Sequence, residues 1–519
     1  MKFKIDKNRY VIVLYFVIGV FFWFASCKTA PKEKYHEYTV AIEADDDSLA
    51  IVKKAACVIP TSRQKKWQEL EFTCFIHFTV NTFTGREWGD GTEDPAIFNP
   101  TALDVNQWVK VAKEAGMKLI LLTCKHHDGF CLWPTKTTEH SIKNSPYKNG
   151  KGDLVKELSE ACRNAGLKFG VYLSPWDRNC PDYGNSPVYN EFLRNQLEEL
   201  LSNYGEIAEV WFDGACGEGS NGKKQVYDWN SYYKIVRQLQ PNAVISTMGP
   251  DVRWVGNEGG LGRKTEWSVL PLVAGNLEDI TNNSQQDEKE PVFEPKDRTG
   301  GDLGSRQKIM DAKSLIWYPS EVDVSIRPGW FYHENQDLYV KSPKKLVDIY
   351  YQSVGRNSVL LLNIPPDKRG LIHGKDVATL QGMRKILDDT FKVNFLRGAK
   401  ISCSNDENIL APNCIDNDKE TYWTTQEGVF TSMLNIKLDQ SCAVNVLLLQ
   451  EYIKKGQRIE RFVLEYLEGE KWKEACRGTT IGYMRLIRFS EVQADKFRLR
   501  ILQSRDCPMI SEFGLYRER

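Results

Sequence analysis

Leu154-Val155-Lys156-Glu157-Leu158-Ser159-Glu160-Ala161-Cys162-Arg163-Asn164-Ala165-Gly166-Leu167-Lys168-Phe169-Gly170-Val171-Tyr172-Leu173 holds one repeating unit of the fold. Its first twelve residues place apolar side chains at 154, 155, 158, 161 and 162, one stripe of an amphipathic helix. Gly166 is placed to stop that helix, and 168–173 is a short apolar run of the kind that forms a buried strand. The same alternation extends in both directions. Further strands are expected at 72–80, 119–123, 209–212, 243–246 and 358–363, with helices at 106–115, 191–204 and 229–239 and a second glycine stop at Gly116. Strand and helix alternating over about 300 residues favours a closed (β/α)8-like barrel over an open doubly wound sheet. No G-x-G-x-x-G follows any of the strands, so no dinucleotide site is expected. Between 249 and 337 the rhythm dissolves into glycine-rich and charged sequence, and the sixth and seventh units are expected to be degenerate or swollen by loops.

The chain of 519 residues is 41% hydrophobic, enough for one large core and a second smaller one, which excludes a disordered, collagenous or miniature scaffold. Lys+Arg and Asp+Glu both number 69, so no basic field draws in nucleic acid, and a neutral partner is expected. From about 395 the character changes to short alternating segments at 433–438, 444–450, 461–467 and 496–501, the pattern of an antiparallel β-sandwich. At the other end, Lys2, Lys4, Lys7 and Arg9 precede an uncharged run at 10–26 that is short for a membrane span. The organisation expected is therefore a signal segment at 1–26, a polar linker at 27–47, the barrel at 48–394 and the sandwich at 395–519. Thirteen cysteines include no C-x-x-C pair, so zinc is not expected, and several sit in apolar runs as small hydrophobes.

In such a barrel, chemistry gathers beyond the C-terminal strand ends. His77 lies at the first, Lys125-His126-His127-Asp128-Gly129-Phe130 at the second, Ser174-Pro175-Trp176-Asp177 at the third and Asp213-Gly214 at the fourth. Adjacent His126 and His127 in extended backbone point opposite ways, and neither H-x-H nor H-x-x-x-H occurs, so these imidazoles are expected to serve hydroxyls and not a metal; no cofactor is expected. Asp213 ends an apolar strand and is followed by a glycine that admits close approach; an Asp there also makes ordinary turns. Tyr172, Trp176 and Trp211 would line the same mouth, and a carboxylate ringed by aromatics and imidazoles suits a positively charged, ring-shaped transition state.

Phe75-Ile76-His77-Phe78, Gly85-Arg86-Glu87-Trp88-Gly89, Lys125-His126-His127-Asp128-Gly129-Phe130, Gly170-Val171-Tyr172-Leu173-Ser174 and Trp211-Phe212-Asp213-Gly214 together resemble the α-L-fucosidases of glycoside hydrolase family 29, in family order. The resemblance implies retaining hydrolysis through two carboxyls, with Asp213 as nucleophile and with His77, Glu87, Trp88, His126, His127, Tyr172 and Trp211 contacting fucose. It makes Trp88 or Trp211 the apolar wall for the C5 methyl. Asp251-Val252-Arg253-Trp254-Val255-Gly256-Asn257-Glu258-Gly259-Gly260 resembles the segment that carries the general acid/base in the subgroup cleaving α-1,3 and α-1,4 fucose from branched glycans, which points to Glu258; Glu266 and Glu321 are its competitors. Trp330, in Arg327-Pro328-Gly329-Trp330, is expected to close the fucose pocket, although Pro-Gly-Trp also forms packed turns, and Arg327 is either a substrate ligand or the partner of a loop carboxylate.

Two further resemblances extend the expectation. Ile415-Asp416-Asn417-Asp418-Lys419-Glu420-Thr421-Tyr422-Trp423 resembles the start of discoidin-like (coagulation factor 5/8 type C) domains, the group that includes family 32 carbohydrate-binding modules; these bind sugar or merely brace a catalytic domain. Phe24-Ala25-Ser26-Cys27 resembles a bacterial lipobox, which implies export, lipid attachment at Cys27, and a cell-envelope location with the membrane touched only through that anchor; an uncleaved N-terminal anchor is the alternative. The expected partner is a fucosylated oligosaccharide or glycoconjugate. The competing functions are a fucosidase of broad linkage tolerance that includes α-1,2, and a non-catalytic surface glycan binder.

Overall fold

The computed structural model describes residues 39–219, 221–272, 301–404 and 410–519, so the signal segment and Cys27 lie outside the described residues. Eight strands form the barrel sheet: β1 (Phe72–Ile76), β2 (Leu119–Lys125), β3 (Lys168–Leu173), β4 (Glu209–Phe212), β5 (Val244–Thr247), β6 (Arg253–Trp254), β7 (Ser320–Ser325) and β8 (Ser358–Asn363). Their order is β5-β4-β3-β2-β1-β8-β7-β6, and every neighbouring pair is parallel. This is the near-closed (β/α)8-like barrel that the alternation predicts. β1, β2 and β8 are buried at every position, as an unbroken apolar run requires when a sheet is covered on both faces.

Helices α1 (Val105–Glu114), α2 (Leu154–Ala165), α3 (Ser186–Asn203), α4 (Trp229–Leu239), α5 (Pro343–Ser353) and α6 (Gly374–Phe391) cover the outside. α2 shows how locally these boundaries are written. The Asp153 carboxylate accepts from the Lys156 amide at 2.9 Å to start the helix, and Gly166 ends it in the left-handed region at φ 76°.

Two expectations are corrected. The apolar run 72–80 is not one strand: β1 stops at Ile76, and Thr79, whose hydroxyl accepts from Asn81, caps a short helix, Val80–Thr84. Residues 39–41, within the segment read as a linker, form a strand that pairs antiparallel with Ser314–Trp317, and Val269–Leu272 completes that small three-stranded sheet. Two of its three strands, Val269–Leu272 and Ser314–Trp317, lie between β6 and β7, which is why the alternation is lost there.

The C-terminal region forms a seven-stranded antiparallel sheet that fits a β-sandwich. Its longest members are Ser432–Glu451 and Arg485–Ser504. The segments 433–438 and 444–450 belong to one strand broken by register shifts. Val446, Met484, Leu486 and Tyr516 join the hydrophobic core of the barrel, so the two parts are packed together. No disulfide links the cysteines of the described residues.

Candidate active site

Asp213 follows β4 directly, and Gly214 leaves its backbone open to close approach. Its carboxylate accepts from the Tyr172 hydroxyl at 2.8 Å through Oδ2 and from the Ala215 amide at 2.7 Å through Oδ1. The side chain is 23% exposed, so the carboxylate is held on two sides and reaches the mouth on a third. Tyr172, at the end of β3, is buried and stacks on Trp211 at 5.1 Å between ring centroids. Burial and the Asp213 charge push the Tyr172 phenol well above its ordinary value, which keeps it a donor.

Three imidazoles cluster beside Tyr172, and one of them, His127, faces this carboxylate. His126 and His127 do not point apart: their ring centroids are 4.1 Å from each other, because β2 stops at Lys125 and the chain turns through Gly129 at φ 80° instead of remaining extended. His126 lies parallel to Tyr172 at 5.9 Å, and His77 stands edge-on to His126 at 5.7 Å. His127 Nε2 is 3.9 Å from Asp213 Oδ2. Burial lowers the proton affinity of all three rings, to about 3 for His77 and well below the ordinary value for His126, so they are neutral near pH 7.

Their tautomers follow from the neighbours. The Asn363 amide nitrogen donates to Ser325 Oγ and to the Trp330 carbonyl, which fixes its oxygen as the acceptor for His77 Nδ1 at 2.8 Å and leaves His77 Nε2 as an acceptor. Ser174 donates to the Trp176 carbonyl and therefore accepts from His127 Nδ1 at 2.7 Å, which makes His127 Nε2 an acceptor too. His126 Nδ1 is buried with no partner among the described residues.

Aromatic rings wall the basin. Trp88, half exposed, stands edge-on to His127 and to Trp176. Trp330 leans on His77 at 5.3 Å, and Phe331 meets His77 and His126 edge-on. Glu87 pins this wall: its carboxylate accepts from the Trp330 amide at 2.8 Å and bonds the His333 ring. Both Glu87 oxygens are thus engaged by protein groups.

The three competing glutamates are separated by their surroundings. Glu258 is exposed, and its Oε2 accepts from the Trp330 indole at 3.2 Å. Glu266 is buried against Arg253 and Arg263, and its backbone amide donates to the Thr480 hydroxyl of the sandwich at 3.0 Å. Glu321, on β7, is fully buried; its Oε1 accepts from the Trp211 indole at 2.7 Å, and burial together with the neighbouring Glu209 pushes its carboxyl up. Arg327 is also internal, bonded to Asp376 and Asp337 at 2.9 and 2.8 Å. Trp267 packs in an apolar cluster beneath Arg505.

Sequence reasoning placed Ser174 at the rim without giving it a role, and it gave Asn363, Phe331 and Asp323 no part in the site. Asp323 is buried on β7, accepts from the Trp254 indole at 2.8 Å, and is raised to about 7 by burial first, with the charges of Glu258 and Asp213 adding to the shift. The available signal was its period-two spacing from Glu321, which puts both on the inner face of the barrel.

Comparison with known proteins adds an independent finding. Residues 92–390 match the family model "Alpha-L-fucosidase". Alpha-L-fucosidase 1 of Arabidopsis thaliana is 40% identical over 488 residues, covering 91% of this chain and 91% of that protein. A crystal structure of a Bacteroides ovatus protein provisionally assigned as an α-L-fucosidase shares 51% identity at a TM-score of 0.83, over 94% of this chain and 79% of that one. A glycoside hydrolase family 29 fucosidase of Ruminococcus gnavus, in complex with fucose, shares 33% identity at a TM-score of 0.77, over 89% and 95%.

Proposed function

Because the chain belongs to the α-L-fucosidase family, glycoside hydrolase family 29, we propose that it is an exo-acting, retaining α-L-fucosidase in which Asp213 is the nucleophile and Glu258 the general acid/base. The observation that carries the assignment of Asp213 is its position: a strand-end carboxylate oriented by Tyr172 and Ala215 and faced by the neutral His127, one of three clustered imidazoles. Glu258 is supported by its bond to Trp330, the ring that leans on His77, while Glu266 and Glu321 are engaged elsewhere.

In the first step Asp213 attacks the anomeric carbon of fucose as protonated Glu258 hands its proton to the departing glycosidic oxygen. In the second, Glu258 takes a proton from the water that attacks the fucosyl ester, and Asp213 leaves. His77 Nε2 and His127 Nε2 accept from sugar hydroxyls, the faces of Trp88 and Trp330 shelter the C5 methyl and ring, and Glu87 acts by holding Trp330 and His333. The preferred substrates are α-1,3 and α-1,4 fucosides of branched, Lewis-type glycans, on the resemblance of 251–260 to that subgroup.

Asp213→Gly should lower turnover of an aryl fucoside by roughly 10⁴-fold or more with an unchanged circular dichroism spectrum. Proton NMR of freshly released sugar should show α-fucose first; β-fucose first would exclude the double displacement. A panel of Lewis and H-type oligosaccharides tests the linkage, and equal cleavage of α-1,2 fucose would favour broad tolerance instead.

The same reading takes the chain to the bacterial cell envelope through lipid attachment at Cys27, with the C-terminal domain as a discoidin-like module. Labelled palmitate should enter the protein and should fail to enter a Cys27→Ala variant.

A further inference from the structure

At the opposite end of the barrel from Asp213, a cleft of about 670 Å³ opens on the seam between barrel and sandwich. Arg356 precedes β8 and lies directly across an antiparallel bridge from Arg485 of the sandwich. The seam there is stitched by backbone bonds from Leu486 to Gly355 at 3.0 Å and from Asn357 to Met484 at 2.9 Å, so the two arginines are held in register. Like charges directly opposite one another destabilise a strand pair, and burial makes this worse.

The carboxylates lining the cleft do not relieve that repulsion. Glu474 pairs with Arg477, and Glu465 with Arg498 and Arg500. Arg488 is matched by Asp348 and Glu518. Four lining cations, Lys264, Arg356, Arg461 and Arg485, have no carboxylate partner among the described residues. Arg485 is nine-tenths buried; its Nη1 donates to the Lys264 carbonyl at 2.8 Å, while its Nε is buried without a partner. The Arg356 guanidinium donates to the Gly262 carbonyl, at 2.8 Å. Burial, and then the charge of Arg356, lower the Arg485 guanidinium to about 10. A buried, fork-shaped donor set without its counter-charge is the complement of an oxyanion.

We propose that this cleft binds the sulfate or carboxylate group of an acidic saccharide, at a site separate from the one that cleaves fucose. Arg356 and Arg485 grip the oxyanion, Lys264 and Arg461 widen the positive field, and Tyr351, Phe462 and Leu502 offer apolar wall to the sugar body. From Arg356 to Asn363, which holds His77, the chain runs the length of β8, about 20 Å at the rise of an extended strand. The site therefore tethers a charged region of a glycan without touching the reacting bond. That the anion is carried on a saccharide rests on the fucosidase reading; the anion site itself does not.

Calorimetric titration of the full chain with 6-sulfo-N-acetyllactosamine, 3′-sialyl-N-acetyllactosamine and plain N-acetyllactosamine tests this. At least one charged probe should bind about tenfold or more tightly than the neutral one. Binding of the sulfated probe alone identifies a sulfate ester as the source, binding of the sialylated probe alone a carboxylate, and binding of both the shared chemistry. Arg356→Gln and Arg485→Gln should each weaken that binding about tenfold, with aryl-fucoside turnover unchanged. Should Arg485→Gln fail to fold, Arg356→Gln and the exposed Arg461→Gln carry the same test. Equal binding of charged and neutral probes, no binding of any, or charged binding indifferent to these arginines would overturn the proposal. Because turnover is measured separately, loss of the anion site and loss of the fucosidase reading give different results.

Discussion

His77 shows what burial does to a residue whose task is to hold a hydroxyl. Removed from water, it stays neutral down to about pH 3, although its bond to Asn363 favours the charged form. An unfolded chain would protonate the same ring near 6.5. Between those values the unfolded state binds the proton and the native state does not, so this residue's stabilising contribution is complete above pH 6.5 and falls as pH drops through that window toward 3. His126 and His127 are displaced in the same direction. For His77 alone the loss by pH 5 is about 2 kcal/mol. Urea unfolding at pH 7 and pH 5 should therefore show the wild type losing about that much more than His77→Gln. Buried carboxyls of raised affinity, such as Asp323, act with the opposite sign, but they are common to both proteins and cancel. Identical losses would mean that His77 is charged in the folded protein.

Among the elements, the junction between β5 and β6 departs furthest from a regular barrel. No helix separates them. Thr247 takes a left-handed φ of 66°, the chain turns back within a few residues, and Val252 pairs parallel with Ser246. Asp251 secures the closure: Oδ2 accepts from the Ile245 amide at 2.8 Å and from Arg237, and Oδ1 from Arg63 at 3.0 Å. Both arginines are about a quarter exposed, which discounts the ion pairs. Asp251→Ala should still cost about 2 kcal/mol, because the buried amide loses its acceptor. It should also lower turnover, since Glu258 hangs on the segment that Asp251 anchors; full activity with only a lowered melting point would separate closure from catalysis. The first five barrel strands and α2 and α4 were legible because apolar runs and helical stripes mark them. β7 was not, because its inward face carries Glu321 and Asp323 and reads as polar, and β6, two residues long, has no period to detect. In the site, histidines and an aspartate at strand ends stand out by residue type, whereas Asn363 and Ser174 act only through partners distant in sequence.

For the molecule as a whole, the seam decides whether barrel and sandwich unfold together. Tyr483 donates to Glu71, at the foot of β1, at 2.7 Å, and its amide donates to Asn357 Oδ1 at the same distance. Leu486 and Met484 are buried in the barrel core. Asn357 itself has φ 59°, a strained conformation that its bonds to Tyr483 and Met484 help to hold. Removing the sandwich from the barrel would thus expose apolar surface and strand these polar groups, so one cooperative transition is expected, with matching calorimetric and van't Hoff enthalpies. Gly482→Ala tests the coupling without altering either core. Gly482 has φ 65°, and a β-carbon there would lie 2.2 Å from Asn357 Cγ. The substitution should lower that single transition by the equivalent of about 1–3 kcal/mol, the scale of backbone strain, as followed together by tryptophan fluorescence and far-ultraviolet dichroism. If the variant instead splits the melt into two steps, the seam is a weak contact between independent domains, and the arginines that face each other across it would not be held in register.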